Sequence, residues 1–311
     1  MQNFIHAKSS DEIIYTKGTT EAINLIARTL GESFSENDCI VITELEHHSN
    51  IVPWQLLKER KNITLKICPI DDQGDLVLSE LENIFKNNNV KLFSFVAISN
   101  SIGTVNPVKE MIALAHQYGA LTLVDCAQLA AHQRINVQDW DADFICFSGH
   151  KIYGPTGVGI LYGKKNLLEA MPPFLGGGDM IDLVTFEKTT YNKLPYKFEA
   201  GTPAIASVIA LKESLLFQNE LFAMPSFETS EKELLHYLEE SLRSIKEVCI
   251  IGNPKHRSGA VSFSLEQIHS QDLATMLGLD GIAVRSGHHC TQPLLKRLGF
   301  NTTTRASLGI Y

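Results

Sequence analysis

No two cysteines in this chain stand in CxxC spacing, so neither a disulfide framework nor a zinc cluster is expected. Positive charge is in deficit. Twenty-seven Lys and Arg face 35 Asp and Glu, a formal net charge of −8, which argues against a nucleic-acid partner or an acidic membrane surface. No apolar run approaches the length of a membrane span. The N-terminus lacks a signal-peptide pattern. There is no internal repeat and no low-complexity tract. A Walker-type phosphate loop is missing too, because Gly18-Thr19-Thr20 is not followed by a GKS or GKT ending.

What remains is the composition of an ordinary soluble protein: 311 residues, 44 % hydrophobic and 20 % charged. That length allows one large domain or two ordinary ones. The six cysteines are Cys39, Cys68, Cys126, Cys146, Cys249 and Cys290. Several sit in strand-like apolar runs, where cysteine behaves as a small buried hydrophobe. Such usage fits a reducing cytoplasm, which is the expected location.

From Ile13 to about Tyr162, strand-like runs alternate with helical patterns. Cys39 to Thr43 and Leu92 to Ile98 are strand candidates. Val108 to Tyr118 has helical spacing and stops at Gly119. This alternation predicts an α/β fold with a mostly parallel sheet and crossover helices. From Gly176-Gly177-Gly178 to Pro203 the pattern turns irregular and loop-rich. A helical stretch follows, clearest from Glu231 to Ile245. Gly259 to Leu265 and Gly281 to Ser286 are strand-like. We place a domain change near residue 216, giving a large domain (1–216) and a smaller α+β domain (217–311) that closes over a cleft.

The strongest chemical signal is Asp143-Phe-Ile-Cys-Phe-Ser-Gly-His-Lys151, followed at once by turn residues to Gly157. A buried strand runs out and leaves Lys151 at its carboxyl end, where open α/β sheets bind ligands. A partly desolvated lysine amine can form a Schiff base with an aldehyde, and pyridoxal phosphate (PLP) is the aldehyde that most often uses this arrangement. A solvated strand-end lysine is the alternative. The preceding strand, Leu121 to Asp125, places a carboxylate at the same end. Asp125 would keep a pyridine nitrogen protonated, and Gln128 would donate to the ring's phenolic oxygen. Helix N-capping is the alternative for Asp125. Thr19 and Thr20 fall at a helix start after Gly18, where free backbone N–H groups and hydroxyls suit a phosphate. Plain capping would use the same residues. Arg285-Ser-Gly-His288-His289-Cys290 is the second signal. A cysteine among histidines and an arginine is a nucleophile candidate, because positive neighbours favour a thiolate; an ordinary loop cysteine is the alternative. Two adjacent histidines and a cysteine do not readily converge on one ion, so no metal is expected there.

With these residues in view, the chain resembles the cysteine desulfurase and selenocysteine lyase group of class V aminotransferase-fold enzymes, of the SufS type. The resemblance runs essentially from end to end. It rests on Gly18-Thr-Thr20, Glu46-His-His-Ser-Asn-Ile-Val-Pro-Trp-Gln55, Asp125-Cys-Ala-Gln128, Ser148-Gly-His-Lys151, Phe198-Glu-Ala-Gly-Thr-Pro203, Arg285-Ser-Gly-His-His-Cys290 and Arg305-Ala-Ser-Leu308, seven motifs in order. It implies a PLP-dependent transferase fold of the aspartate aminotransferase type. It implies that Lys151 holds PLP covalently and that His47 stacks on the pyridine face, where a strand-end surface histidine is the alternative. Thr19, Thr20, Ser148 and His150 would bind the phosphate. Thr202 would reach the phosphate of a partner subunit, making the unit a homodimer. Asn100, Arg305 and Arg285 would hold the substrate carboxylate, since arginine matches a carboxylate bidentately. Cys290 would accept sulfur from L-cysteine, or selenium from selenocysteine, and alanine would leave. A protein acceptor would carry the persulfide toward iron–sulfur cluster assembly. The compact turn around Cys290 is similar to that of the subgroup with slow turnover without a partner. Family members carry a segment before the position of Met1 and a closing helix past Tyr311, so the chain is expected to be shortened at both ends.

Overall fold

The computed structural model describes residues 1–310. Seven strands build the main sheet: β1 (Ile13–Thr16), β2 (Cys39–Thr43), β3 (Thr64–Cys68), β4 (Val90–Val96), β5 (Leu121–Asp125), β6 (Phe144–Ser148) and β7 (Gly159–Gly163). Their spatial order is β1-β7-β6-β5-β4-β2-β3. Neighbours from β3 to β6 pair in parallel, and only β7 runs against the rest. The expected mostly parallel α/β sheet is therefore present.

The apolar runs are continuous rather than alternating because both faces of the sheet are covered. On β6, Ile145 and Phe147 enter one core, while Phe144 and Cys146 enter the core on the opposite face. The Leu92-to-Ile98 candidate appears as β4, two residues earlier at each end. The helix expected at 108–118 spans Val108–Gln117, and Gly119 turns the chain with φ 74°.

The segment read as loop-rich contains a hairpin, β8 (Ile181–Val184) and β9 (Thr189–Tyr191). It is exposed and short, so it lacks the buried apolar run that marks the central strands. Two long helices follow, Ile205–Ala223 and Phe227–Arg243, and residue 216 lies inside the first.

A second, antiparallel sheet comprises β10 (Val248–Ile250), β11 (Ala260–Leu265), β12 (Arg285–Gly287) and β13 (Thr303–Ser307), in the order β10-β11-β13-β12. The strand expected at 281–286 starts later, because Gly281 (φ 79°) turns the chain after the helix Ser270–Leu279. A third apolar cluster joins the two sheets: Val96 at the end of β4 and Leu45 and Ile102 from the main sheet's loops meet Ile251 and Leu294. Ser262 also donates to the Ser101 carbonyl at 2.6 Å. The small sheet is thus clamped over the carboxyl ends of β2 and β4. No helix among the described residues is long and apolar enough to cross a membrane.

Candidate active site

Four strand ends and one distant loop converge on a cleft of about 290 Å³, lined by Thr19, Thr20, His47, Asn100, Asp125, Gln128, Ser148, His150, Lys151, Arg285, His289 and Arg305 among others. Every candidate is drawn there except Thr202 and Cys290, which stands beside it. The parallel sheet explains the convergence: β2, β4, β5 and β6 all end at this edge.

Asp125 ends β5 and is 2 % exposed. It does not cap the following short helix, whose N-cap is Gln128. One carboxylate oxygen accepts the Ala127 N–H at 2.9 Å. Burial raises its pKa, and Lys151 pulls it back down. Lys151 sits in the 3-10 turn Gly149–Lys151 just after β6. Burial lowers its pKa, against the opposing pull of Asp125; Arg305 lowers it further and Cys290 raises it. The solvated-lysine alternative does not describe such a group. A lysine so placed gives up its proton more readily and becomes a nucleophile or base.

His47 follows β2. Its Nδ1 accepts the Ser49 N–H at 3.1 Å. Burial first, then Lys151 and other positive neighbours, push its pKa down to about 4. The ring is neutral near neutrality, and a neutral imidazole presents a flat face for stacking. Beneath it Glu46, fully buried, accepts from Thr43 (2.5 Å), Asn50 (2.6 Å) and the Val96 N–H (3.1 Å). Asn50 in turn accepts from Trp54 (2.9 Å) and Ser94 (2.5 Å). This network anchors the His47 loop to the core. Glu46, Asn50 and Trp54 recur at four-residue spacing, a signal in the sequence whose supporting role becomes visible only in the fold.

The helix Thr19–Arg28 begins at the cleft, and its N-cap, Gly18, has no side chain to cap it. Ser148 reaches across to accept the Thr19 N–H and to share a hydrogen bond with its hydroxyl, both at 2.9 Å. Thr20 and His150 are exposed beside them. Hydroxyls, an imidazole and a helix N-terminus form a donor set suited to a phosphate. With a lysine amine, a buried carboxylate and a neutral imidazole in the same cleft, the residues fit PLP. Thr202 lies apart, exposed on the lip of a neighbouring groove with Glu199 and Pro203.

On the far wall, the Asn100 amide donates to the His289 carbonyl at 2.7 Å. That commits its donor to holding the cysteine loop. Its Oδ1 and the Arg305 Nε are buried without a hydrogen-bond partner. Burial pushes the Arg305 pKa down to about 10, still cationic at neutrality. A buried cation with an unsatisfied N–H calls for an anion.

Cys290 is half-buried. His289 (φ 51°) and Cys290 (φ 57°) both adopt the left-handed conformation, a constrained turn that fixes where the thiol stands. Four other cysteines are buried, and burial pushes Cys39 up to about 11 and Cys68 to about 12. They are inert hydrophobes, as their strand contexts suggested. The expectation of no metal meets a different arrangement: His48, from the loop after β2, joins His288 and Cys290 with their ligand atoms all within 4.8 Å.

The family model "Aminotransferase class-V" matches residues 1–311. A probable cysteine desulfurase of Halalkalibacterium halodurans is 45 % identical over 312 residues, covering 100 % of this chain and 76 % of that protein. A probable cysteine desulfurase of Staphylococcus epidermidis (strain ATCC 12228) is 47 % identical over 313 residues, covering 100 % and 75 %. Among solved structures, a cysteine desulfurase from Thermococcus onnurineus NA1 superposes with a TM-score of 0.95 at 38 % identity, covering 100 % of this chain and 77 % of that one.

Proposed function

The chain belongs to the class V aminotransferase family, within its cysteine desulfurase group, and on that premise we infer that it is a cysteine desulfurase, converting L-cysteine to L-alanine with a persulfide formed on Cys290. Enzymes of this family depend on PLP. The observation that carries the reading is the meeting of Lys151 and Asp125 in one cleft, with Cys290, from a segment 139 residues on, beside it and close enough to act on the lysine's charge.

Bound PLP supplies an electron sink for charge that develops at the substrate α-carbon. Asp125, buried, would keep a proton on the ring nitrogen. Gln128 would donate to the ring's phenolic oxygen, and the neutral His47 would pack against the pyridine. Thr19, Thr20, Ser148 and His150 would receive the phosphate. Arg305, aided by Arg285 and steadied by Asn100, binds the substrate carboxylate and orients the α-carbon toward Lys151. Lys151 then takes the α-proton onto Nζ. The Cys290 thiolate attacks the substrate sulfur: the Sγ–S bond forms, the carbon–sulfur bond breaks, and the released carbon is protonated to give alanine. Atoms balance as L-cysteine plus thiol to L-alanine plus persulfide, with no external oxidant.

The half-buried Cys290 passes its sulfur to an acceptor protein that feeds iron–sulfur cluster assembly, in the cytoplasm. Selenocysteine offers the same carboxylate and amine to Arg305 and Lys151 and is a second substrate. Thr202, exposed and away from its own chain's cleft, serves the phosphate of a second copy, so the enzyme works as a homodimer.

The test is single-turnover reaction of the PLP-loaded chain with L-cysteine. Cys290→Ala is expected to abolish protein-bound persulfide while leaving the cofactor's visible absorbance intact. Undiminished persulfide in that variant, or a chain that stays colourless with PLP, rejects the reading.

A further inference from the structure

We propose that His48, His288 and Cys290 form a binding site for a borderline-soft divalent cation, Zn²⁺ by chemistry, and that its occupancy withdraws the Cys290 thiolate from sulfur transfer. Binding follows from the placement of the three side chains, and inhibition rests on Cys290 being the sulfur acceptor.

The three ligand atoms lie within 4.8 Å of one another. Two imidazoles and a thiolate are a preferred zinc set, with Zn–S near ~2.3 Å and Zn–N near ~2.0 Å. Closing onto an ion requires the donors to draw in by about 1 Å, a side-chain movement. Sequence spacing hides the set because its members come from two segments 240 residues apart, and the backbone joins them: the His48 N–H donates to the Cys290 carbonyl at 2.8 Å. The His48 and His288 rings are neighbours, 5.5 Å apart between centroids and tilted by 36° to each other. The left-handed turn at His289 and Cys290 holds the thiol against this ring pair.

Each ring already takes one backbone N–H: His288 Nδ1 from Cys290 (3.0 Å) and His48 Nε2 from Gln292 (3.2 Å). Loading therefore exchanges both hydrogen bonds for coordination: either the accepting nitrogen turns to the ion, or the ring proton moves onto it and the other nitrogen coordinates, which ends the backbone bond as well. The thiol proton is released to solvent as the sulfur–metal bond forms. Three protein ligands leave a fourth position open, so the site is reversible and a chelator can empty it.

The test uses PLP-loaded enzyme freed of excess cofactor. Titration with Co²⁺, followed by its thiolate-to-cobalt absorption, reports whether sulfur is a ligand. Equilibrium dialysis with Zn²⁺ gives stoichiometry and affinity. One ion per chain is expected, with the sulfur band lost in Cys290→Ser. Affinity should fall at least about tenfold in His48→Ala and His288→Ala, the loss seen even for outer-shell partners. The exposed His256→Ala is the control and should be unchanged. Equal affinity in all variants, or bound cobalt without the sulfur band, overturns the site. Persulfide formation at buffered free zinc, scored against each variant's own zinc-free rate, tests the second claim. Zinc that binds while leaving the wild-type rate untouched overturns inhibition. A protein that forms no persulfide even without zinc overturns the desulfurase reading, and the cobalt band still decides the site.

Discussion

Lys151 and Asp125 are both charged groups placed where burial penalises charge, and each is held there by the other. That tension is the chemical resource of the site. In the proposed mechanism the acid would serve the ring nitrogen and the amine the α-proton, so the two are separable by substitution. Asp125→Asn should keep cofactor attached, seen as visible absorbance, while turnover falls by roughly a hundredfold or more, the scale of a lost proton-handling group. Retained turnover in a cofactor-loaded Asp125→Asn would remove Asp125 from the mechanism. His47 gives a second test at this scale. Its folded pKa, about 4, lies below the ordinary 6.5. Between those values the unfolded chain binds a proton that the folded chain refuses, so the group's stabilisation is present above 6.5 and drains away toward pH 4. Wild type should lose stability relative to His47→Gln across that window in urea titrations. Parallel curves would mean that the ring titrates freely.

Among elements, the phosphate end depends on a close crossing. A Cβ on Gly159 of β7 would meet the Gly18 Cα at 2.4 Å and its nitrogen at 2.8 Å. Both partners are backbone, so no side chain can swing aside. Gly159→Ala should cost about 1–3 kcal/mol, as overpacking does, and weaken PLP retention, because the Thr19 turn proposed to receive the phosphate must move. Denaturant midpoints together with a cofactor-release assay check both effects. Unchanged PLP affinity would detach the Gly18 turn from phosphate binding. The central strands were legible because both faces are buried, which leaves a continuous apolar run. The β8–β9 hairpin was not, since it is short and exposed and its pairing, not its composition, makes it a strand.

At the level of the whole molecule, the cleft exists because the small sheet is docked on the large one. Ile102 is fully buried in the joining cluster with Ile251 and Leu294. Ile102→Ala should destabilise by about 2–5 kcal/mol and raise KM for L-cysteine, since Arg305 and Cys290 ride on the docked part. A stability loss with KM unchanged would show that docking is not limiting for substrate binding. That Lys151, Asp125 and Thr19 meet at one sheet edge was legible in the chain because each follows a strand whose apolar run announces it. The alternation of apolar runs with helical periods also dictated the parallel sheet, by local patterning alone. What the chain order could not express is proximity between remote segments. Tertiary structure decided that Asn100 spends its amide on the cysteine loop, that Thr202 stands outside its own cleft, and that His48 meets His288 and Cys290. Those contacts arise from how two sheets dock, and docking is a property of surfaces brought together, which no periodicity records.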